Sequence, residues 1–262
     1  MSMDLQNICK QTIAAVKKAG DFIRLEAQRV TEADIKHKGA RDLVSYVDVQ
    51  AEKILVEELH KIVPEAGFLT EEKTIADRKD LEWVIDPLDG TTNFLHGVPT
   101  YSTSVALVNK NEILVGVVLE INHNECFYAW QNGGAFLNGE PITVSKIHAL
   151  KDSLISTGFP YSHEGKMERH IQSIYSILKK SHGIRRFGSA AVDLCYVACG
   201  RFDGYFEYNL NPWDIAGGAL IVKEAGGRVS DFDGGADFIS GKEIVASTPK
   251  ILSELLKEII VR

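Results

Sequence analysis

The stretch WVIDPLDGTTNF, residues 83–94, releases an apolar strand into a turn that carries two aspartates three positions apart. Pro87 disfavours helical geometry for Asp86 and supplies no N–H, which places Asp86 at a strand end. Asp89-Gly90 is a turn dipeptide, and Thr91 or Thr92 can cap a helix that follows. The two carboxylates and the Leu88 carbonyl then converge on one side of the turn. Two like charges held this close call for a positive charge between them. A hard divalent cation takes oxygen ligands of this kind, and Mg²⁺ keeps waters as well. Helix-start amides beside such a cation offer a phosphate site. A capped turn with no ligand is the plainer reading, but a mere turn does not require two acids and two threonines.

Two other stretches supply acids. FLTEEKT, residues 68–74, holds Glu71 and Glu72, which in isolation read as a solvated charge pair. NPWDIAGG holds Asp214 in the first turn of an apolar helix whose start Pro212 and Trp213 pin. An acid at that place compensates the helix dipole even when it binds nothing.

The rest of the chain bounds the classes open to it. Its 262 residues, 45% hydrophobic and 25% charged, suit a soluble globular protein with a sizeable core. A formal charge of −7 argues against a nucleic-acid backbone or an anionic membrane as main partner. No apolar run approaches the roughly 20 residues that span a bilayer, and MSMDLQNICKQ lacks an export signal, so a cytoplasmic location is expected. Four cysteines, at 9, 126, 195 and 199, are too few and too scattered for a disulfide scaffold. Cys195 and Cys199 read as core residues rather than zinc ligands.

Apolar spacing predicts helices over 4–29, with Leu5, Ile8, Cys9, Thr12, Val16, Ala19 and Ile23 on one face, and over 48–63, stopped by Pro64. An antiparallel sheet follows, with hairpins turning at Asn109-Lys110-Asn111 and Asn132-Gly133-Gly134. The second half alternates: a strand in DSLISTGF, a helix over 164–181 with Met167, Ile171, Ile174 and Leu178 inward, and a short helix in GSAAVDLCYVACG. GYFEY reads as a strand, WDIAGGALIVKEAGG as a helix, GGRVSDF and EIVAST as strands, and 249–261 as a last helix. A boundary near 145–152 divides the chain into an N-terminal α+β lobe, 1–148, and a C-terminal α/β lobe, 149–262, within one catalytic unit. DFDGGAD, 231–237, lacks the distal glutamate of a calcium loop and reads as a turn. KKSHGIRR, 179–186, reads as a solvated or subunit-facing basic patch, although Arg185 or Arg186 stands where a second phosphate could be met.

WVIDPLDGTTNF together with NPWDIAGGALIVKEAGG resembles the two signatures of the inositol monophosphatase family. Its members are Mg²⁺-dependent, lithium-sensitive phosphatases of sugars and polyols, a group that extends to fructose-1,6-bisphosphatases and 3′-phosphoadenosine 5′-phosphate phosphatases. EE at 71–72, GSAA at 188–191 and the acid of GYFEY match as well, and the order holds over essentially the whole chain. The resemblance implies an α/β (α+β) fold, a five-layered αβαβα sandwich, assembled as a homodimer. It implies two to three Mg²⁺ per site: Glu71, Asp86 and the Leu88 carbonyl on the first, Asp86, Asp89 and Asp214 on the second, and a weaker third near Glu71. Thr91, with help from Glu71, would orient the attacking water, and Asp89 joins them as a catalytic group. The Gly90, Thr91 and Thr92 amides would bind phosphate, while Gly188, Ser189, Ala190, Glu207 and Asp214 would line the alcohol. The family carries a lysine and a D-x-V-T-x-x-D segment before its second helix. Here KGARDLVSYVD has Ser45 in place of threonine, Lys38 (or Lys36) for the lysine, and Asp48 for the acid.

The expected reaction is hydrolysis of a small polyol or sugar phosphate by direct attack of water, with inositol 1-phosphate first among substrates. Fructose 1,6-bisphosphate, NADP⁺, 3′-phosphoadenosine 5′-phosphate and histidinol phosphate stay open, because discrimination lies in loops such as 159–169. Haloacid-dehalogenase phosphatases also use an acid-rich turn after a strand, but there the acids are two apart and the first is the nucleophile. A metal- or polyol-binding regulatory protein without turnover is the non-enzymatic alternative.

Overall fold

The computed structural model describes residues 3–31, 36–37, 43–159 and 165–260. Helix α1 (Leu5–Glu26) begins on Asp4, whose side chain accepts the Asn7 N–H, and buries the apolar stripe that its spacing predicts. Two short paired strands follow, β1 (Lys36–His37) and β2 (Leu43–Val44). Lys38, the expected loop lysine, and the Lys36 side chain lie outside the described residues. Helix α2 (Tyr46–Ile62) opens at Ser45, whose N–H donates to Asp48 Oδ2 at 2.9 Å.

A seven-stranded sheet comes next, its strands in sequence order: β3 (Gly67–Thr70), β4 (Leu81–Asp89), β5 (Ser102–Asn109), β6 (Glu112–Glu120), β7 (Glu125–Trp130), β8 (Ala135–Leu137) and β9 (Glu140–Ile142). All neighbours are antiparallel except β3 and β4, which are parallel, so the sheet is mixed rather than purely antiparallel. Four residues are too few for β3 to show a period. The segment read as one strand after Gly134 is split by Asn138-Gly139 into β8 and β9, both residues having positive φ. Strand β4 continues through Pro87 to Asp89, with a register shift between Asp86 and Asp89 that tolerates the missing N–H. The five-residue helix α3 (Thr91–Leu95) is begun by left-handed Gly90 (φ 92°), not by a threonine side chain. A Cβ at Gly90 would meet the Thr100 and Gly188 carbonyl oxygens at 3.1 and 3.2 Å, so steric and backbone demands agree there.

The second half contributes β10 (Leu154–Thr157), α4 (Met167–Leu178), β11 (Gly183–Arg185), α5 (Ala190–Ala198), β12 (Gly204–Tyr208), α6 (Pro212–Glu224), β13 (Arg228–Ser230), β14 (Glu243–Ser247) and α7 (Leu252–Glu258). Its sheet has the order β11-β10-β12-β14-β13, with β10 parallel to both its neighbours and β14 antiparallel to both of its own.

Helices α5 and α6 lie between the two sheets. Their Leu194, Ile215, Ala219 and Val222 share one core with Val84, Ala106 and Val118 of the first sheet and Tyr205, Ile244 and Ala246 of the second. Outside the first sheet, α1 and α2 cover Trp83, Ile85, Leu107 and Val117. Outside the second, α4 and α7 cover Phe206, Phe232 and Val245. The result is the five-layered αβαβα sandwich. Glycine sets its closest approach: a Cβ at Gly116 of β6 would lie 2.6 Å from the Gly217 carbonyl oxygen of α6.

Helix α4 turns a different face inward from the one its hydropathy suggests. His170, Ser173 and Ile177 are buried, while Ile171, Tyr175 and Leu178 are about half exposed. The His170 ring packs on Phe206 and Tyr208, and aromatic contact, not aliphatic content, fixes the rotation. Cys9, Cys126 and Cys195 are buried thiols, and Asp231 accepts the N–H groups of Asp233, Gly235 and Asp237 as a turn. Among the described residues no helix is long and apolar enough to cross a membrane.

Candidate active site

Three elements deliver the four acids to one place. Strand β4 carries Asp86 and, past the irregularity, Asp89; the loop after β3 carries Glu71; α6 carries Asp214 in its first turn. The Glu71 loop is held by Glu52 of α2, a fully buried carboxylate that accepts the Glu72 N–H at 2.7 Å and the Thr74 N–H at 2.8 Å. Glu71, Asp89 and Asp214 line a cleft of about 120 Å³ together with Gly158, Phe159, Arg186, Gly188, Ser189, Ala190 and Glu207. A larger hollow, about 400 Å³ beside Phe22, Val44 and Tyr46, shares none of these residues.

Each aspartate is aimed by a backbone donor. Asp86 Oδ1 accepts the Leu88 N–H at 3.0 Å, and Asp214 Oδ2 accepts the Asn211 N–H at 2.6 Å. Asp89 Oδ2 accepts from the Ser189 hydroxyl at 2.7 Å and the Ala191 N–H at 2.8 Å, both from the opposite half of the chain. Asn93 ties the same seam by donating to the Thr100 and Phe187 carbonyls, each at 2.7 Å.

The electrostatics of the group are unfavourable as it stands. Burial pushes the Asp86 carboxyl well above the usual range, and Glu71, Asp89 and Asp214 push it further, with Glu71 in hydrogen-bond contact. Asp214 is raised by burial and by Asp89. Asp89 rises to about 6 by burial, against the lowering effect of its Ser189 and Ala191 bonds. Among the described residues, no three His, Cys, Asp or Glu side chains yet gather as a finished metal cage. The donor set is nevertheless hard, all oxygen and strongly anionic, which suits a hard divalent cation such as Mg²⁺.

Thr91 and the Leu88 carbonyl complete the inner surface. The Thr91 hydroxyl lies 2.9 Å from Leu88 O and 3.0 Å from Asp48 Oδ1. Asp48 is itself buried, and that burial raises its pKa. Gly90, Thr91 and Thr92 form the α3 start, whose amides have no intrahelical acceptor. On the far side Glu207 accepts from Tyr205 Oη at 2.6 Å and is pushed up to about 7 by burial. Gly158 lies so close to Glu207 that a Cβ there would stand 2.0 Å from its carboxylate.

An inositol monophosphatase family model matches residues 4–262. The chain belongs to the inositol monophosphatase family. An inositol-1-monophosphatase from Rhizobium meliloti is 41% identical over 252 residues, covering 95% of this chain and 94% of the relative. The Nus factor SuhB of Pasteurella multocida is 40% identical over 249 residues, covering 94% and 93%. Among solved structures, the extragenic suppressor protein suhB from Bartonella henselae superposes with a TM-score of 0.90 at 38% identity, covering 95% of this chain and 97% of that one. Membership makes this chain a phosphatase by class.

The family motifs therefore mark positions that the fold unites: Glu71, Asp89, Gly188, Ser189, Ala190, Glu207 and Asp214 all border one cleft, with Asp86 beneath it. Residues without a motif were missed. Gly158 carried no signal, Phe159 was marked only as the first residue of the loop 159–169, and Asp48 was seen only as a loop acid, its bond to Thr91 being a contact across 43 positions. Of the two arginines left open, Arg186 borders the cleft, whereas Arg185 donates to its neighbour's carbonyl, Ile184 O.

Proposed function

We propose that this family member is a Mg²⁺-dependent phosphatase that hydrolyses a phosphate monoester of a small polyol, with inositol 1-phosphate as the preferred candidate. The observation that carries the reading is the buried Asp86 carboxyl, crowded by Glu71, Asp89 and Asp214 with no protein cation paired to it among the described residues. Glu71, Asp86 and the Leu88 carbonyl are assigned to one metal, Asp86, Asp89 and Asp214 to a second, and the neighbourhood of Glu71 to a weaker third. Bound divalent cations would neutralise phosphoryl charge, lower the pKa of a water and stabilise the leaving alkoxide.

The chain's own groups do the positioning. Thr91 spends its hydroxyl proton on Asp48 or Leu88 O, so its lone pairs face outward to accept from the attacking water. Glu71 is the adjacent proton acceptor. Amides of Gly90, Thr91 and Thr92 meet the phosphate oxygens, which a loose transition state leaves highly charged. Gly188, Ser189, Ala190, Glu207 and Asp214 receive the alcohol, Glu207 as acceptor for its hydroxyls. Residues 1–148 and 149–262 then act as lobes of one catalytic unit. The half-exposed Ile171, Tyr175 and Leu178 of α4 supply an apolar stripe for homodimer formation.

A regulatory role is the second reading, because a relative of almost equal identity is named a Nus factor. Presence of all the acids favours turnover, and the net charge of −7 disfavours direct nucleic-acid contact. A phosphate-release panel over inositol 1-phosphate, fructose 1,6-bisphosphate, NADP⁺, 3′-phosphoadenosine 5′-phosphate and histidinol phosphate, with Mg²⁺ or EDTA, decides between the two. Mg²⁺-dependent release that falls in Asp214→Asn supports the phosphatase; silence on every ester defeats it.

A further inference from the structure

We propose that Gly158, held in place by His170, sets the width of the cleft at its alcohol end, so that the site favours a ring-sized polyol over a short open-chain alcohol. The inference rests on the phosphatase reading above and deepens it by naming residues that select the ester. Three observations carry it.

The first is a contact that only glycine allows. Thr157 pairs with Phe206 in the parallel ladder of β10 and β12, so Gly158 and Glu207 are the next residues along. A Cβ at Gly158 would stand 2.0 Å from Glu207 Oε2 and 2.2 Å from Oε1. The carboxylate therefore lies broadside on bare backbone, with Oε2 tied to Tyr205 Oη at 2.6 Å. A side chain at 158 would drive it off by about 1.4 Å to reach ordinary van der Waals contact. Both residues border a cleft of only about 120 Å³, so that displacement narrows the place where the alcohol sits.

The second is a clamp on the same backbone from the side covered by α4. Nε2 of His170 donates to the Gly158 carbonyl at 2.8 Å, a tie between residues 12 positions apart. A carbonyl only accepts, so Nε2 carries the proton; burial lowers the pKa of the ring and keeps it neutral. Phe159, Phe206 and Tyr208 hold the imidazole in this orientation.

The third is that packing alone does not call for a histidine there. His170 is fully buried, and its Nδ1 has no hydrogen-bond partner among the described residues. A phenylalanine would fill the space without stranding a nitrogen away from water. What the imidazole adds is the N–H that fixes the strand end behind Glu207.

The matched probes are inositol 1-phosphate and glycerol 2-phosphate, each a phosphate on a secondary alcohol, one on a ring and one on a three-carbon chain. Wild type should give the higher kcat/KM on the inositol ester. Gly158→Ala should cut the inositol-to-glycerol ratio about tenfold, chiefly through KM, the scale of one lost hydrogen bond to a charged group. His170→Phe should cut it about fivefold, the scale of one net hydrogen bond, and His170→Gln, which can offer an amide N–H, should restore part of it. Ser173→Ala is the structural control on the same buried face: it removes the acceptor of the Ile260 N–H without touching Gly158, and should keep the ratio. A wild type without the preference, an unchanged ratio in either folded variant, a fall confined to kcat, or an equal fall in Ser173→Ala overturns the proposal. Should Gly158→Ala not fold, His170→Phe decides alone. If wild type hydrolyses neither ester the phosphatase reading fails by itself, and calorimetric binding of the two esters with Ca²⁺ still judges the wall: equal discrimination in wild type and His170→Phe, or no binding of either ester, refutes it.

Discussion

Asp89→Asn separates the cost of the acid cluster from its use. Keeping Asp89 ionised at pH 7.5, when its folded pKa lies at about 6 rather than 3.8, costs the metal-free fold about 3 kcal/mol. Asparagine removes that charge, while its carbonyl oxygen can still accept from Ser189 and Ala191. In EDTA at pH 7.5 the variant should therefore melt roughly 5 °C above wild type, given about 2 °C per kcal/mol at this chain length. The pH dependence has a definite sign. Folded Asp89 holds its proton more tightly than the unfolded chain does, so metal-free wild type loses stability as pH rises from about 4 to about 6. The variant lacks that part of the slope. With Mg²⁺ the order should reverse, because wild type gains stability through binding and the variant gains less. Turnover should fall by roughly a thousandfold, the scale of one lost transition-state contact to charge. Differential scanning fluorimetry over pH 4–8 with EDTA or Mg²⁺, alongside phosphate release, reads all of this. A variant less stable than wild type in EDTA, yet with an undiminished Mg²⁺ shift, would refute the reasoning.

Three further outcomes are expected. Thr91→Ala should lower kcat by about 10²-fold or more with KM little changed, because it removes orientation of the water rather than binding of the ester; steady-state kinetics check it. Glu207, with a pKa near 7 from burial, accepts hydroxyls best when ionised, so KM for a polyol phosphate should fall as pH rises through about 7, and Glu207→Gln should give a flat, higher KM between pH 6 and 8. Ile171→Glu with Leu178→Glu should leave activity per folded chain measurable but halve the mass seen by light scattering; an unchanged mass removes α4 from the dimer contact.

The sequence revealed the site more fully than the surfaces around it. Asp86 and Asp89 were legible because proline and glycine chemistry fixes their local geometry within a few residues, whereas Glu71 and Asp214 stood out only through the family resemblance. Strands β3 and β11 were not, because three or four residues carry no measurable period and their pairing partners lie elsewhere in the chain. Helix α4 offered two overlapping apolar stripes, and contact with Phe206 and Tyr208 chose the one containing His170. Arg186 and Arg185 were indistinguishable as letters. The fold tells them apart by setting Arg186 on the cleft and turning Arg185 to the Ile184 carbonyl.

The bare contact between Gly116 and Gly217 has a consequence for where damaging substitutions fall. At that point helix α6 rests on the sheet with no side chain between them, and its opening turn carries Asp214. One methyl on β6 would raise that helix like a shim under a beam and withdraw its carboxylate from the other three. A screen for lost turnover should thus recover position 116, deep in the strand ladder, beside the reactive acids themselves.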